Sequence, residues 1–167
     1  KFKAADSIAP TRIWKVLEEL GRAAIPTRRF QLEVTETVFL GRGAENVERA
    51  LKLLSAEGVT IALDDFGTGY ASLRHLKQFP VDIIKIDQSF VKTMLDNRSD
   101  LVMVQSTIAL AHSLGRKVVA EGVEHQNVLD ALIDMGCDVA QGYIIGRPMS
   151  IDSLSKRLST DRRSSVA

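Results

Sequence analysis

Five short apolar runs alternate along the chain with stretches of helical periodicity, and that alternation leaves few folds open. Phe30-Gln31-Leu32-Glu33-Val34, Thr60-Ile61-Ala62-Leu63, Ile83-Ile84-Lys85-Ile86, Lys117-Val118-Val119-Ala120 and Asp138-Val139-Ala140 read as strands. Between them, apolar residues recur at helical spacing: Ile13, Val16, Leu17, Leu20 and Ala24; Val47, Ala50, Leu51 and Leu54; Leu73, Leu76 and Phe79; Leu101, Val104, Ile108 and Ala111; Val128, Leu129, Leu132 and Met135. Gly58, Pro80 and Gly136 punctuate the helical stretches, and a short helix from Ile151 to Leu158 is expected last. Strand–helix–strand repetition makes a parallel sheet with helical crossovers, and short apolar strands suit a sheet covered on both faces. The fold class is α/β.

The chain has 167 residues, which suits one domain. Hydrophobic residues make up 45% and charged residues 26%, a balance that excludes disorder along the whole length. We read residues 1–159 as that domain and Thr160 to Ala167, with no apolar period, as a disordered tail. No apolar run approaches the roughly 18–20 residues that span a bilayer, and the N-terminus lacks a signal peptide's apolar segment. It begins at Lys1 without Met, so a longer polypeptide is expected. A net charge of +1 calls for neither a nucleic acid polymer nor an anionic membrane. The lone Cys137 excludes an internal disulfide and is compatible with a reducing compartment.

The strand ends carry polar groups that are costly to bury. Glu33 and Glu36 mark the first, Asp64-Asp65 the second, Lys85 and Asp87 the third, Glu121 and Glu124 the fourth, and Gln141 the fifth. A parallel sheet brings its C-terminal strand ends to one edge, the active face of a β/α barrel. So many carboxylates cannot share a small space as bare anions. A divalent cation with hard oxygen ligands (Mg²⁺, Mn²⁺ or Ca²⁺) resolves the repulsion. Asp64 and Asp65 suit two metals about 3.5–4 Å apart. Lys85 adds a cation for a phosphate, and Gly67-Thr68-Gly69 permits close backbone approach. His75, His112 and His125 fall on expected helices and read as surface or core-edge residues. Cys137 reads as a small buried residue, and Trp14 as packing.

These residues stand in blocks: Leu32-Glu33-Val34-Thr35-Glu36-Thr37, Asp64-Asp65-Phe66-Gly67-Thr68-Gly69-Tyr70, Ile84-Lys85-Ile86-Asp87, Ala120-Glu121-Gly122-Val123-Glu124 and Gln141-Gly142-Tyr143. In order and spacing they resemble the EAL-domain phosphodiesterases of bacteria, which open cyclic di-GMP to linear pGpG. The resemblance runs from about Trp14 to Pro148. It implies a TIM-type (β/α) barrel, here incomplete with about five parallel strand–helix units, and a Mg²⁺ or Mn²⁺ site with two metals. It implies metal ligation by Glu33, Asp64, Asp65 and Glu121, and catalytic roles for Lys85, Glu121 and Gln141. Glu36 is implied to fix the Asp-Asp-Phe-Gly loop, with Asp87 and Glu124 close behind the metals. Gly67, Thr68, Gly69, Arg147 and Pro148 are implied on the substrate side. The resemblance also implies cyclic di-GMP as the bound partner, a homodimer, cytoplasmic location, and an upstream sensory or diguanylate-cyclase domain in the parent chain, which can be membrane-tethered.

The chain departs from the family pattern in one respect. It contains no Glu-Ala-Leu tripeptide and no Asn-bearing strand before Leu32-Glu33. A TIM barrel takes eight strands and about 250 residues. Two functions are therefore expected: a phosphodiesterase whose activity is impaired in this length of chain, or a degenerate domain that senses cyclic di-GMP or contacts a partner. A dimerisation element is a third.

Overall fold

A computed structural model describes residues 10–39, 44–69 and 73–164. Helix α1 (Pro10–Arg22) leads into strand β1 (Gln31–Thr35), then α2 (Ala44–Ala56), β2 (Thr60–Phe66), α3 (Leu73–Gln78) and β3 (Ile83–Ile86). There follow α4 (Gln88–Thr93), α5 (Arg98–Ser113), β4 (Lys117–Glu121), α6 (Gln126–Asp134), β5 (Val139–Gln141) and α7 (Ile151–Ser164). Among the described residues the five strands form one parallel sheet in chain order, with β1 and β5 at its edges. This is the expected architecture of five strand–helix units.

Strand alternation sorts side chains between two faces. Val34, Ile61, Leu63, Ile84, Ile86, Val118 and Ala120 are buried and join one core with Leu51, Leu54, Val104, Ile108, Val128 and Leu132 of the helices. Each aliphatic side chain so buried contributes about 1.5–3 kcal/mol. Glu33, Asp64, Lys85 and Glu121 lie on the opposite face. The register carries them there: Glu33 pairs with Ala62, Ala62 with Ile83, Lys85 with Val119, and Glu121 with Gln141. Two-sided covering does not extend to the β5 edge, where Val139 is 47% exposed.

The helices start where side chains can satisfy orphan amides. Asn97 caps α5 by accepting from the Ser99 N–H at 2.9 Å, and Asp100 places a negative charge in the first turn. Asp87 caps α4 the same way. At the opposite edge of the sheet, two aspartates latch neighbouring strands. The Ile61 N–H donates to Asp82 Oδ2 at 2.8 Å, and the Val118 N–H donates to Asp138 Oδ2 at 2.8 Å. In each case the residue preceding one strand satisfies the backbone of the strand beside it.

Three expectations need correction. Trp14 is 55% exposed on α1 and does not serve as core packing. The chain from Thr160 is helical as far as Ser164, because α7 runs past Leu158. Ile151, Leu154 and Leu158 stand at helical spacing, but no apolar residue continues that stripe beyond Leu158, so periodicity ends the helix there. His125 does not lie within α6; it occupies the N-cap position. His112 does sit at the end of α5, its Nε2 2.8 Å from Asp138 Oδ2. The side chain of His75 lies outside the described residues.

Candidate active site

Lys85 is the largest fully buried side chain of the chain's described core, 2% exposed, and it lies in the middle of the sheet. A buried ammonium needs partners. Three strands supply them: Asp64 Oδ1 of β2 at 2.8 Å, Glu121 Oε1 of β4 at 2.6 Å and Glu33 Oε1 of β1 at 3.0 Å. Burial alone would favour the neutral amine. Hydrogen bonds to Asp64, Glu121 and Glu33 outweigh it and hold the ammonium above the ordinary lysine pKa. Lys85 is thus a fixed cation.

Asp64 and Asp65 are consecutive, so in a regular strand their side chains would face opposite sides. The ladder instead slips by one residue. Leu63 pairs with Ile84 and Phe66 with Ile86, so Asp64 and Asp65 together oppose the single Lys85. Asp65 takes a left-handed backbone, φ 56°. This is the geometry of a β-bulge, which re-aims a side chain at the cost of one ladder position. A left-handed non-glycine residue costs about 1–3 kcal/mol and persists only where its surroundings enforce it. The consequence is a cluster. One carboxylate oxygen from each of Asp64, Asp65 and Glu121 lies within 4.8 Å of the others.

The bulge runs into a loop held by Glu36. This carboxyl is buried, at the start of a 3-10 turn after β1. Its Oε1 accepts the Gly67 N–H at 3.0 Å. A Cβ on Gly69 would stand 2.5 Å from its Oε2, so both glycines lie against one side chain. The Thr68 hydroxyl donates to the Asp65 carbonyl at 2.8 Å and closes the turn from within. On the far side of the loop stands Phe90 of α4. A Cβ on Gly67, whose φ is 98°, would meet the Phe90 ring at 3.0 Å.

The structure thus brings together Glu33, Asp64, Asp65, Lys85 and Glu121, with Glu36 beneath the adjoining loop. Other residues singled out in the sequence lie elsewhere. Asp87 Oδ1 accepts from the Ser89 N–H at 2.9 Å and from its hydroxyl at 2.5 Å, which is a helix cap. Glu124 Oε1 is 2.9 Å from Lys92 Nζ, and these two line a cavity of about 110 Å³ with Gly122, His125 and Val128. Hydrogen bonding and charge from Lys92 hold the Glu124 carboxyl below the usual range. Gln141 ends β5 beside Glu121, with its side chain exposed. Arg147 lies 4.5 Å over the Tyr143 ring, and Pro148 is exposed next to it. Cys137 is half-buried, and burial pushes its thiol upward, away from nucleophilic use. Phe90 and Lys92 were not marked by the sequence. An aromatic residue and a lysine in a short polar stretch carry no periodic signal.

Whether these residues suit a divalent cation is decided by the donor set. Three carboxylates converge from two strands, all are hard oxygen donors, and a single ammonium offsets only part of their charge. That set fits a hard divalent cation. Asp64 and Asp65 offer two adjacent carboxylates to it and Glu121 a third.

Comparison with known proteins identifies relatives of this fold. The family model for the EAL domain matches residues 5–148. The bifunctional diguanylate cyclase/cyclic di-GMP phosphodiesterase MucR of Pseudomonas aeruginosa is 40% identical over 139 residues, which is 83% of this chain and 20% of MucR. The cyclic di-GMP phosphodiesterase NbdA of the same organism is 38% identical over 149 residues, 87% of this chain and 18% of NbdA. The chain therefore spans about one fifth of the length of these curated relatives. The solved MucR phosphodiesterase in complex with c-di-GMP superposes with a TM-score of 0.80 at 39% identity, covering 85% of this chain and 57% of that one. The five strand–helix units are accordingly part of a TIM-type barrel, and the chain belongs to the EAL domain family.

Proposed function

We propose that the protein carrying this chain is a metal-dependent phosphodiesterase that hydrolyses cyclic di-GMP to linear pGpG. The observation that carries the reading is the buried Lys85 held by Glu33, Asp64 and Glu121 beside the Asp64–Asp65–Glu121 oxygen cluster. Two relatives are named as cyclic di-GMP phosphodiesterases, and a Klebsiella pneumoniae BlrP1 structure, 31% identical with a TM-score of 0.77, is a manganese and c-di-GMP complex.

In this reading Glu33, Asp64, Asp65 and Glu121 hold Mg²⁺ or Mn²⁺. The bound ions supply charge neutralisation at the phosphate and lower the pKa of water. The chain's own groups do the rest. Water adds across one phosphodiester P–O bond, and its proton needs an acceptor. Glu121 takes that proton in this reading, which is supported by its carboxylate, one oxygen of which is 2.6 Å from Lys85 Nζ. Lys85 stays charged, so it orients anionic oxygens and does not act as a base. Gln141 lies one strand over from Glu121 and holds water by its amide. Glu36 keeps the Gly67–Gly69 turn in place, while Arg147 and Pro148 face the guanine base. Asp87 and Glu124 support the site from outside it, through the α4 cap and the Lys92 pair. The reading includes a homodimer working in the cytoplasm.

The test is turnover of cyclic di-GMP by the full protein with Mn²⁺, with pGpG separated by chromatography. Glu121→Gln is expected to lower the rate by about 10²–10⁴-fold. Tight cyclic di-GMP binding without pGpG would instead identify a sensor, and neither binding nor turnover would reject both readings.

A further inference from the structure

We propose that Phe90 is a positioning residue for Asp65, holding the metal-side carboxylate in place from helix α4. The inference rests on the metal-site reading above. Asp65 reaches the cluster only through its left-handed backbone, φ 56°, and such a conformation relaxes unless its surroundings enforce it. The next glycine fixes where that backbone can go. Gly67 is gripped on one side by Glu36, which accepts its N–H at 3.0 Å. On the other side stands the Phe90 ring, close enough that a Cβ on Gly67 would lie 3.0 Å from Cε2 and 3.5 Å from Cζ. Glu36 holds the turn from one side. The ring blocks the rotation that would swing Gly67 and Asp65 outward.

The ring is itself firmly mounted. Asp87 caps α4, while Val91 and Met94, flanking the Phe90 turn, are buried to 0% and 1% exposure. Phe90 packs half-buried against the same core. The glycine at position 67 then has a specific reason: any larger residue would meet the ring and would carry a strained positive φ.

The experiment is a titration of the full protein with Mn²⁺ alone, reading free Mn²⁺ by electron paramagnetic resonance, with no substrate present. Phe90→Ala is expected to weaken Mn²⁺ binding about tenfold or more, the usual scale for loss of a group that orients a metal ligand. Phe90→Leu, which keeps apolar volume, should fall between. Val91→Ala is the control: it loosens the same helix from the core without touching Gly67 and should leave Mn²⁺ affinity unchanged while lowering the melting temperature. Equal Mn²⁺ affinity in wild type and Phe90→Ala would overturn the proposal and leave the metal site standing. So would equal weakening by Val91→Ala and Phe90→Ala. If Phe90→Ala does not fold, wild-type affinity in Phe90→Leu overturns the proposal. No Mn²⁺ uptake by the wild type would instead reject the metal-site reading, and this inference falls with it.

Discussion

The two ends of the sheet use aspartate in opposite ways. At the N-terminal ends of the strands, Asp82 and Asp138 each reach sideways and accept a backbone N–H of the neighbouring strand at 2.8 Å. There the carboxylate is a hydrogen-bond acceptor for the ladder. At the C-terminal ends, Asp64, Glu121 and Glu33 converge on Lys85, and Asp65 is turned by a bulge to join them. There the charge itself is what the arrangement concentrates. The same residue types stabilise the fold at one edge and concentrate negative charge at the other, and the difference lies in what the oxygens face.

The comparison can be tested most severely at Lys85. Lys85→Met leaves buried carboxylates without their cation and should destabilise the protein by about 3–5 kcal/mol in urea unfolding, with loss of turnover. Added Mn²⁺ should recover more stability in this variant than in the wild type, because it binds the folded carboxylates. An unchanged midpoint would mean that the cluster is held by other contacts. Since the folded ammonium sits above its ordinary pKa, the stabilisation from Lys85 is complete below about pH 10 and is lost only as pH rises through the higher folded value. The stability of the wild type between pH 6 and 9 should therefore carry no step from this group.

A second pair of variants separates charge from hydrogen bonding. Asp64→Asn should reduce Mn²⁺ affinity about 10-fold or more, because the amide is a poorer ligand. Asp82→Asn keeps an acceptor oxygen for the Ile61 N–H and should shift stability by about 0.5 kcal/mol or less. Comparable effects of the two on Mn²⁺ binding would erase the distinction between the edges.

Asp138 gives the intermediate case. Asp138→Ala orphans the Val118 N–H and should cost about 1–3 kcal/mol with turnover retained, measured by thermal denaturation and by assay. Burial pushes the Asp138 carboxyl upward, but hydrogen bonds from His112 and the Val118 N–H hold it below the usual range. Its contribution is therefore present above about pH 4, the unfolded value, and is lost as pH falls through the lower folded value. The gap between wild type and Asp138→Ala should narrow in that acid window. The smallest effect is expected at Lys92→Ala. That variant frees the half-buried Glu124 and should leave the melting temperature unchanged, since ion pairs this open to solvent contribute little.

Much of this arrangement was readable from residues. Short apolar runs between helical stretches marked the five strands, and the convergence of parallel strand ends brought Glu33, Asp64, Lys85 and Glu121 to one place. Other features were not readable. The bulge that turns Asp65 inward depends on a register slip against β3, which no local pattern encodes. The Asp82 and Asp138 latches join residues about twenty positions apart. Helix α4 is six residues long, too short to show a period, so Phe90 was invisible until Gly67 was seen against it. Trp14 stands beside a helical stripe and is 55% exposed, because adjacency to a stripe does not set a partner that would bury it.

The sheet's order has a consequence for how the chain is made. Among the described residues, each strand hydrogen-bonds to strands adjacent in sequence. Translation delivers about 5–20 residues per second, whereas loops of this size close in far less than a millisecond. Each of these strand–helix units can therefore dock on its predecessor as it leaves the ribosome. Lys85 emerges after Glu33 and Asp64, so its first counter-ions are in place before it arrives, and Glu121 completes the set about thirty-six residues later. Nascent chains halted between Lys85 and Glu121 should already protect the β1–β3 amides from exchange.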